Sequence, residues 1–164
     1  MKFILNLGVQ EMRTEKDFEE LLKLFNKNKV RYCIIGAYAV GIYGAPRYTK
    51  DMDLLVEPDV ENAQRIIKAL TEFGFKSLGL KEKDFIQKGK IIQLGYEPVR
   101  IDLITSIKGC DFQEVWENKT IGAYGKQKAF FMGFDELIKN KQKSGRKQDS
   151  VDVSILISRK KKRA

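Results

Sequence analysis

The sequence predicts an α+β fold in which a mixed β-sheet is flanked by helices. Strand-like and helical segments alternate in the first half, short strand-like runs cluster in the middle, and helical periodicity returns near the end. The length of 164 residues suits one domain of ordinary size. We therefore expect a single domain at residues 1–158, followed by a basic tail at 159–164.

The N-terminal third is predicted to contain two helices around a buried strand. Apolar residues recur at the spacing of one helical face over Thr14–Asn28, and Asp17 completes a pattern that resembles a capping box. The apolar run Val30–Ile35 follows as a strand. Gly36 ends this strand, and a short helix is predicted at 37–43.

The remaining elements begin with a strand at Asp51–Glu57 that carries two acidic residues at its start. Asp59 is predicted to cap an amphipathic helix that ends at Gly74. Further along, strands are predicted at 85–87, 91–94, 99–104 and 128–132, and helices at 111–118, 135–143 and 146–158.

Composition excludes several classes of chemistry. The chain has no histidine, which removes histidine-ligated zinc and catalysis by Ser-His-Asp or Cys-His groups. Cys33 and Cys110 are too far apart to form a metal-binding motif, and Cys33 lies in a predicted buried strand. No apolar run is long enough for a membrane helix, and the apolar N-terminal stretch is too short for a signal peptide, so we expect a cytoplasmic protein.

The net charge of +9 is concentrated at one end of the chain. The segment Lys139–Ala164 holds ten basic and two acidic residues, whereas the rest of the chain is nearly balanced. Such asymmetry suggests a polyanionic partner, either nucleic acid or a phosphorylated substrate. The run Arg159–Arg163 is equally compatible with a solubilising tail.

Three aspartates occupy positions where a strand would ordinarily be apolar. Asp51 and Asp53 alternate with apolar residues and so share one face of their strand, while Asp102 lies within Val99–Ile104. If the two strands pair, the three carboxylates converge. Carboxylate oxygens are hard ligands, and a pair of divalent ions between them would relieve their repulsion and support phosphoryl-type transfer. We therefore predict a site for a pair of divalent ions at these carboxylates.

A strand that passes through Gly36 into a helix leaves backbone amides at the helix start, a position that favours phosphate. The glycines match neither a P-loop nor a dinucleotide-binding fingerprint. Each feature alone is weak, but their order along the chain is much more specific: a strand, glycine and helix, then Asp-x-Asp on a strand, then a lone aspartate in an apolar strand.

This order resembles the nucleotidyltransferase superfamily typified by DNA polymerase β. The family pattern is an apolar strand, a Gly-Gly or Gly-Ser pair, a helix, Asp-x-Asp and a later strand-borne aspartate. Here the second residue of the glycine pair is Ala37, which keeps the amide and the small size but lacks a hydroxyl. The run from Arg47 to Asp53 also looks like a compact prokaryotic branch related to the abortive-infection toxins of toxin–antitoxin systems. A C-terminal motif of that branch is matched by Leu137, Lys141, Gly145, Arg146, Asp149 and Asp152.

The resemblance implies a role for each matching residue. Asp51 and Asp53 would bind both metal ions, Mg²⁺ with Mn²⁺ as a substitute, and Asp102 would bind one ion and activate the acceptor hydroxyl. The candidate nucleotide-binding residues are Gly36, Ala37, Arg47, Thr49, Lys50, Lys141 and Arg146. For Lys141 and Arg146, a solvated helix face is an equally good interpretation.

Three functional hypotheses remain open at the level of sequence. The first is a nucleotidyltransferase that transfers a nucleoside monophosphate from a nucleoside triphosphate to a hydroxyl of RNA, a protein or a small molecule. The second is a module that binds nucleotide or RNA without turnover, which Ala37 and the basic end favour. The third is a subunit that needs a partner protein to complete its site, which the small size allows.

Overall fold

A computed structural model of the chain describes residues 2–3, 15–44, 49, 51–75, 79–96 and 99–163. Its seven strands form one mixed sheet in the order β1-β6-β7-β2-β3-β5-β4. The strands are β1 (Lys2–Phe3), β2 (Tyr32–Ile35), β3 (Asp51–Val56), β4 (Ile91–Tyr96), β5 (Val99–Ile104), β6 (Thr120–Tyr124) and β7 (Gln127–Phe131). The helices are α1 (Lys16–Lys27), α2 (Gly36–Ile42), α3 (Val60–Phe73), α4 (Lys83–Ile86), α5 (Phe112–Glu117), α6 (Phe134–Ser144) and α7 (Lys147–Arg163). The predicted α+β class is confirmed.

The centre of the sheet combines parallel and antiparallel pairs. Strand β3 runs antiparallel to β2 and parallel to β5, while β4 closes one edge antiparallel to β5. On the other side, β7 pairs parallel with β2 and antiparallel with β6. This topology puts β3 next to β5, although about fifty residues separate them in the sequence.

The hydrophobic core lies in two layers, one on each face of the sheet. Alternate residues of β2 divide between them: Tyr32 and Ile34 belong to the first layer, and Cys33 and Ile35 belong to the second. Helices α1 and α3 cover the first layer, and α5, α6 and α7 contribute to the second. All four β2 side chains are buried, as expected for a strand covered on both faces.

Helix α3 has the boundaries that its sequence predicts. The Asp59 carboxylate accepts a hydrogen bond from the Asn62 amide at 2.7 Å, which satisfies one free donor of the first turn. Gly74 ends the helix in the left-handed conformation that glycine adopts without a steric cost. Thr14, half of the predicted capping box of α1, lies outside the described residues.

Three elements differ from the sequence-based expectation, and the first is β1 (Lys2–Phe3), where the sequence predicts no strand. The predicted strand at 85–87 is wrong, because Phe85 lies in the short helix α4 and is fully buried there. A short apolar run does not distinguish a strand from a buried helical turn. Strand β6 is absent from the sequence-based expectation, since its Gly-Ala centre lacks apolar alternation, although Gly125-Lys126 is a hairpin signal between Tyr124 and Gln127.

The C-terminal segment is helical as far as Arg163, so the predicted start of a tail at residue 159 falls inside α7. Lys161 and Lys162 on this last turn are exposed to solvent. Within the described ranges, no helix has the length and apolar character needed to cross a bilayer.

Candidate active site

The three aspartates of the sequence pattern lie on adjacent strands. In the register of β3 and β5, Asp53 is opposite Asp102 and Asp51 is opposite Arg100. On its other side, Asp53 is opposite Ile35, the residue immediately before Gly36. The two acidic strands therefore pair, which is the condition that convergence of the carboxylates requires, and the strand–glycine–helix turn lies at the same place.

The acidic side chains share one face of the sheet. Met52 and Leu54 of β3, and Ile101 and Leu103 of β5, all point into the first core layer. The intervening aspartates consequently lie on the opposite face, on the side where α6 and α7 pack. Burial of a carboxylate among these layers is costly unless another charge or a cation compensates it.

Asp102 is held by Arg100, a residue outside the set of candidates that the sequence pattern indicates. The Nε and Nη2 atoms of Arg100 donate hydrogen bonds to Asp102 Oδ1 and Oδ2 at 3.1 and 2.9 Å. Nη2 also lies 3.4 Å from Asp51 Oδ2. Arg100 and Asp102 are two residues apart on β5, so the alternation of a strand already puts both on the acidic face.

Asp51 has one oxygen without a partner. Its Oδ1 is buried and accepts no hydrogen bond, the only such side-chain atom in the described part of the chain. A buried oxygen of this kind loses its hydration without compensation, which normally costs about 1–3 kcal/mol. An orphaned carboxylate oxygen is the type of ligand that a hard cation such as Mg²⁺ takes.

Asp53 holds its proton more tightly than an ordinary carboxyl. Burial raises its pKa from 3.8 to about 6, and the negative charges of Asp102 and Asp51 add to the effect, while Arg100 and Arg146 oppose it. Like charges on one face disfavour ionisation of the next carboxylate. The two arginines therefore compensate the negative charge around Asp53 only in part.

The raised pKa predicts how stability depends on pH. The folded chain keeps the Asp53 proton to about pH 6, whereas the unfolded chain loses it near 3.8, so this group makes the free energy of unfolding fall as pH rises from about 4 to 6. Asp53→Asn cannot ionise and should be more stable than wild type above pH 7 by about 1–3 kcal/mol. The difference should shrink towards pH 4.

Urea unfolding of both proteins between pH 4 and 8, with a chelator present, measures this difference. Comparison with the variant cancels the titration of the carboxyls that do not interact with Asp53. A constant difference between the two proteins across the whole pH range would show that Asp53 has an ordinary pKa.

The turn from β2 into α2 requires glycine. Gly36 has φ +68°, which L side chains rarely adopt, and a Cβ at this position would lie 2.6 Å from Asp53 Oδ2. The backbone at the start of α2 thus lies directly against the acidic face, and no side chain caps this helix. Ala37 is the next residue of α2, in the first turn where backbone amides lack intrahelical partners.

Gly36→Ala is expected to lower the free energy of unfolding by about 1–3 kcal/mol, because it combines backbone strain with contact against the Asp53 carboxylate. Gly145→Ala is the matched control, since Gly145 has φ +69° and nothing within 4 Å of its Cβ position. Chemical denaturation should show the larger loss for Gly36→Ala. When Asp53→Ala is also present, Gly36→Ala and Gly145→Ala should lower the free energy of unfolding by the same amount. A larger loss for Gly36→Ala in that background would show that a residue other than Asp53 contacts the added methyl group.

The remaining candidate nucleotide-binding residues differ in how far the structure describes them. Thr49 lies just before β3, where its hydroxyl is 3.2 Å from the Asp51 carbonyl oxygen and 3.3 Å from the Asp51 amide. The Thr49 side chain thus stabilises the backbone at the start of β3. Arg47 and Lys50 lie outside the described residues.

Lys141 is not on a solvated helix face. It is 3 % exposed, and its ammonium donates to Asp149 Oδ1 at 3.0 Å and to Asp152 Oδ2 at 2.9 Å. These ion pairs join α6 to α7 and already neutralise the Lys141 charge.

Arg146, by contrast, has a 78 % exposed side chain that donates to Asp149 Oδ2 at 2.8 Å. The positive charge of Arg146 also lowers the pKa of Asp53, which puts the start of α7 within electrostatic range of the acidic face.

The acidic face has the carboxylate oxygens that a hard cation binds, but within the part of the chain that the structure describes their positions do not form a metal site. Over the described ranges, no three acidic or cysteine side chains are grouped closely enough to hold a metal ion as they stand. Asp51 Oδ1 is free to coordinate, whereas both oxygens of Asp102 accept hydrogen bonds from Arg100. Asp51, Asp53 and Asp102 are the residues of this face whose oxygens could bind a cation.

Comparisons with known proteins give likenesses of structure alone. No family model matches the chain, and no curated protein matches its sequence. A lincosamide antibiotic adenylyltransferase, solved with lincomycin bound, has a TM-score of 0.52 at 18 % identity, over 90 % of this chain and 99 % of that one.

Two further solved structures are similar. A Thermotoga maritima protein assigned as a nucleotidyltransferase has a TM-score of 0.58 at 14 % identity, over 86 % of this chain and 90 % of that one. An antigenic nucleotidyltransferase-like protein of Paracoccidioides brasiliensis has a TM-score of 0.52 at 16 % identity, over 89 % of this chain and 77 % of that one. The branch related to abortive-infection toxins stays a prediction. The three likenesses, together with a mixed sheet that aligns the acidic strands beside the glycine turn, show that this chain has the nucleotidyltransferase fold.

Proposed function

We propose that the chain is a Mg²⁺-dependent nucleotidyltransferase that transfers a nucleoside monophosphate from a nucleoside triphosphate to an acceptor hydroxyl. The register of β3 and β5 carries the proposal, because it puts Asp53 beside Asp102 and next to the turn at Gly36. The buried, unpartnered Asp51 Oδ1 and the raised pKa of Asp53 support a cation at this face.

In this mechanism the acceptor oxygen forms a bond to the α-phosphorus, and the bond from that phosphorus to the bridging oxygen breaks, so pyrophosphate leaves. Asp51 and Asp53 would hold both divalent ions, and Asp102 would hold one and accept the proton of the attacking hydroxyl. When bound, the ions supply charge neutralisation and in-line alignment. No histidine base is required, in agreement with the composition.

The triphosphate would lie between the start of α2 and the start of α7. Gly36 and Ala37 offer backbone amides at the acidic face, and Arg146, just before α7, presents an exposed guanidinium. The same role remains proposed for Arg47 and Lys50. For Lys141 we propose an indirect role, since its ammonium is buried between two carboxylates and its ion pairs position the segment that carries Arg146.

Isothermal titration of ATP, GTP, CTP and UTP with Mg²⁺ tests the proposal. Wild type should bind at least one triphosphate only when the metal is present, and Asp51→Asn/Asp53→Asn should lose this binding. Asp111→Asn is the matched control, because Asp111 caps α5 and asparagine caps equally well. Metal-independent binding that the double variant retains would contradict the proposed site.

A binding module without turnover is the second candidate. Ala37 in place of a second glycine or serine favours it, as does Arg100, which already covers both oxygens of Asp102. Release of pyrophosphate from the bound triphosphate, in the presence of RNA, protein and small hydroxylated acceptors, separates the two functions. Lincosamides belong in this screen because a protein of similar fold acts on them.

The basic end of α7 is the proposed RNA contact. The run Arg159–Arg163 carries five consecutive positive charges, and Lys161 and Lys162 are exposed. If these residues bind RNA phosphates, deletion of 159–164 should weaken RNA binding. The deletion should also flatten the salt dependence, by about 0.7 in log–log slope for each phosphate that the shortened chain no longer neutralises. Fluorescence anisotropy at several salt concentrations measures both effects. An unchanged slope would remove this segment from the RNA interface.

A further inference from the structure

Arg100 is placed to act as a counter-ion for the acidic face. Its guanidinium makes two hydrogen bonds to Asp102, one to each carboxylate oxygen, and the same Nη2 atom lies 3.4 Å from Asp51 Oδ2. A two-bond contact between arginine and a carboxylate is among the stronger ion pairs in proteins. Arg100 and Asp102 both lie on strand β5, so the strand backbone fixes their relative positions.

The positions of these bonds matter for a metal ion. A divalent cation would bind through carboxylate oxygens, and both oxygens of Asp102 are hydrogen-bonded to Arg100. Two cations cannot share this space without strong repulsion. Among the described side chains, Asp51 Oδ1 alone is buried and free of a hydrogen bond, which leaves the acidic face partly satisfied by the arginine and partly open.

We propose that Arg100 is a built-in counter-cation that a divalent ion must displace from Asp102 before the site can become active. This inference rests on the proposed function, because it concerns the same three carboxylates. Arg100 thereby stabilises the metal-free site and weakens metal affinity. Its side chain is 29 % exposed, so the guanidinium has an open path towards solvent when it leaves Asp102.

Direct titration with Mn²⁺ in the absence of nucleotide tests the proposal. Arg100→Gln should bind Mn²⁺ with a Kd at least about tenfold lower than wild type, the factor that 1.4 kcal/mol makes in an equilibrium constant. The thermal midpoint without metal should fall in the variant, and the rise on adding Mn²⁺ should be larger than in wild type.

Two arginines give matched controls for the same substitution. Arg65→Gln removes a charge from α3, where the arginine pairs with Glu61 four residues earlier, and should leave the Kd unchanged. Arg146→Gln removes a charge that acts on Asp53 without an observed bond to the three aspartates. Its effect should stay below about threefold, because exposed charges are screened by solvent. An equal gain for Arg146→Gln and Arg100→Gln would reduce the effect to net charge and overturn the proposal.

A measurement on wild type keeps the proposal testable if Arg100→Gln does not fold. In an NMR spectrum of the arginine Nε–H groups, the Arg100 signal can be assigned by its absence from Arg100→Lys. Saturation with Mg²⁺ should shift this signal from a hydrogen-bonded to a solvent-exposed position. A signal that stays in place while the metal saturates would overturn the displacement.

The outcomes also separate this inference from the proposed function. Equal Mn²⁺ affinity in wild type and Arg100→Gln would refute the counter-cation and leave the metal site standing. Absence of Mn²⁺ binding in both proteins would refute the metal site, and both proposals with it. Tighter binding in Arg100→Gln without any pyrophosphate release would support the counter-cation and favour a binding module over an enzyme.

Discussion

Asp51→Asn is expected to lower nucleotidyl transfer by at least about a thousandfold, while the chain stays folded. Asp51 contributes the buried oxygen that has no protein partner, so its amide replacement removes a negative ligand without breaking a hydrogen bond to that atom. The contact with Arg100, at 3.4 Å, is long and partly open to solvent, so its loss should change the free energy of unfolding by no more than about 1 kcal/mol.

Pyrophosphate release with Mg²⁺ and the acceptor found in the screen measures the first effect, and urea unfolding measures the second. Asp111→Asn, at the start of α5, should keep full activity. A variant that loses activity because it unfolds would show that Asp51 is structural, and one that keeps more than about a tenth of the activity would contradict a metal-ligand role.

The acidic face could be predicted from sequence because its signal is local. Asp51, Asp53 and Asp102 stand out as carboxylates inside apolar runs, and period-two alternation alone assigns each to a face. Alternation does not supply the pairing of β3 with β5. That pairing depends on the order of the whole sheet, so at the level of sequence it is only a condition for the carboxylates to converge.

Arg100 lies on the acidic face, yet it is not among the candidate site residues that the sequence pattern indicates. It stands two residues before Asp102 on the same strand, so the alternation that identified the aspartate also applies to the arginine. An exposed arginine at a strand start is common, and only the register opposite Asp51 reveals that its charge is shared between two carboxylates. Alternation along β5 therefore predicts that Arg100 and Asp102 share a face, but it does not predict the contact between Arg100 and Asp51.

The environment of Lys141 could not be predicted for a different reason. Helical periodicity within α6 allows solvent on that face, because the helix that covers it comes later in the chain. Asp149 and Asp152 of α7 lie eight and eleven residues further along, and they bury the lysine only once the two helices pack. Side-chain contacts between two helices depend on how the helices pack, and the sequence pattern of one helix does not predict that packing.

Lys141→Met is expected to be more destabilising than the substitutions at the acidic face, with a loss of about 3–5 kcal/mol in the free energy of unfolding. Methionine is of similar length and fills the space, but it leaves Asp149 and Asp152 buried without their shared cation. Lys143→Met, on an exposed position of the same helix, should change stability by less than about 0.5 kcal/mol.

The pH dependence of this loss identifies its cause. Burial raises the pKa of Asp149, but hydrogen bonds from Ser144, Arg146 and Lys141 outweigh it and lower the pKa to about 2. This pair therefore contributes stability above about pH 4 that is lost as the pH falls towards 2. The cost of Lys141→Met should consequently be largest near pH 7 and smaller near pH 3, closer to the lowered pKa of Asp149. Urea unfolding at the two pH values measures the change, and a cost independent of pH would indicate a packing defect instead of the loss of the Lys141 charge.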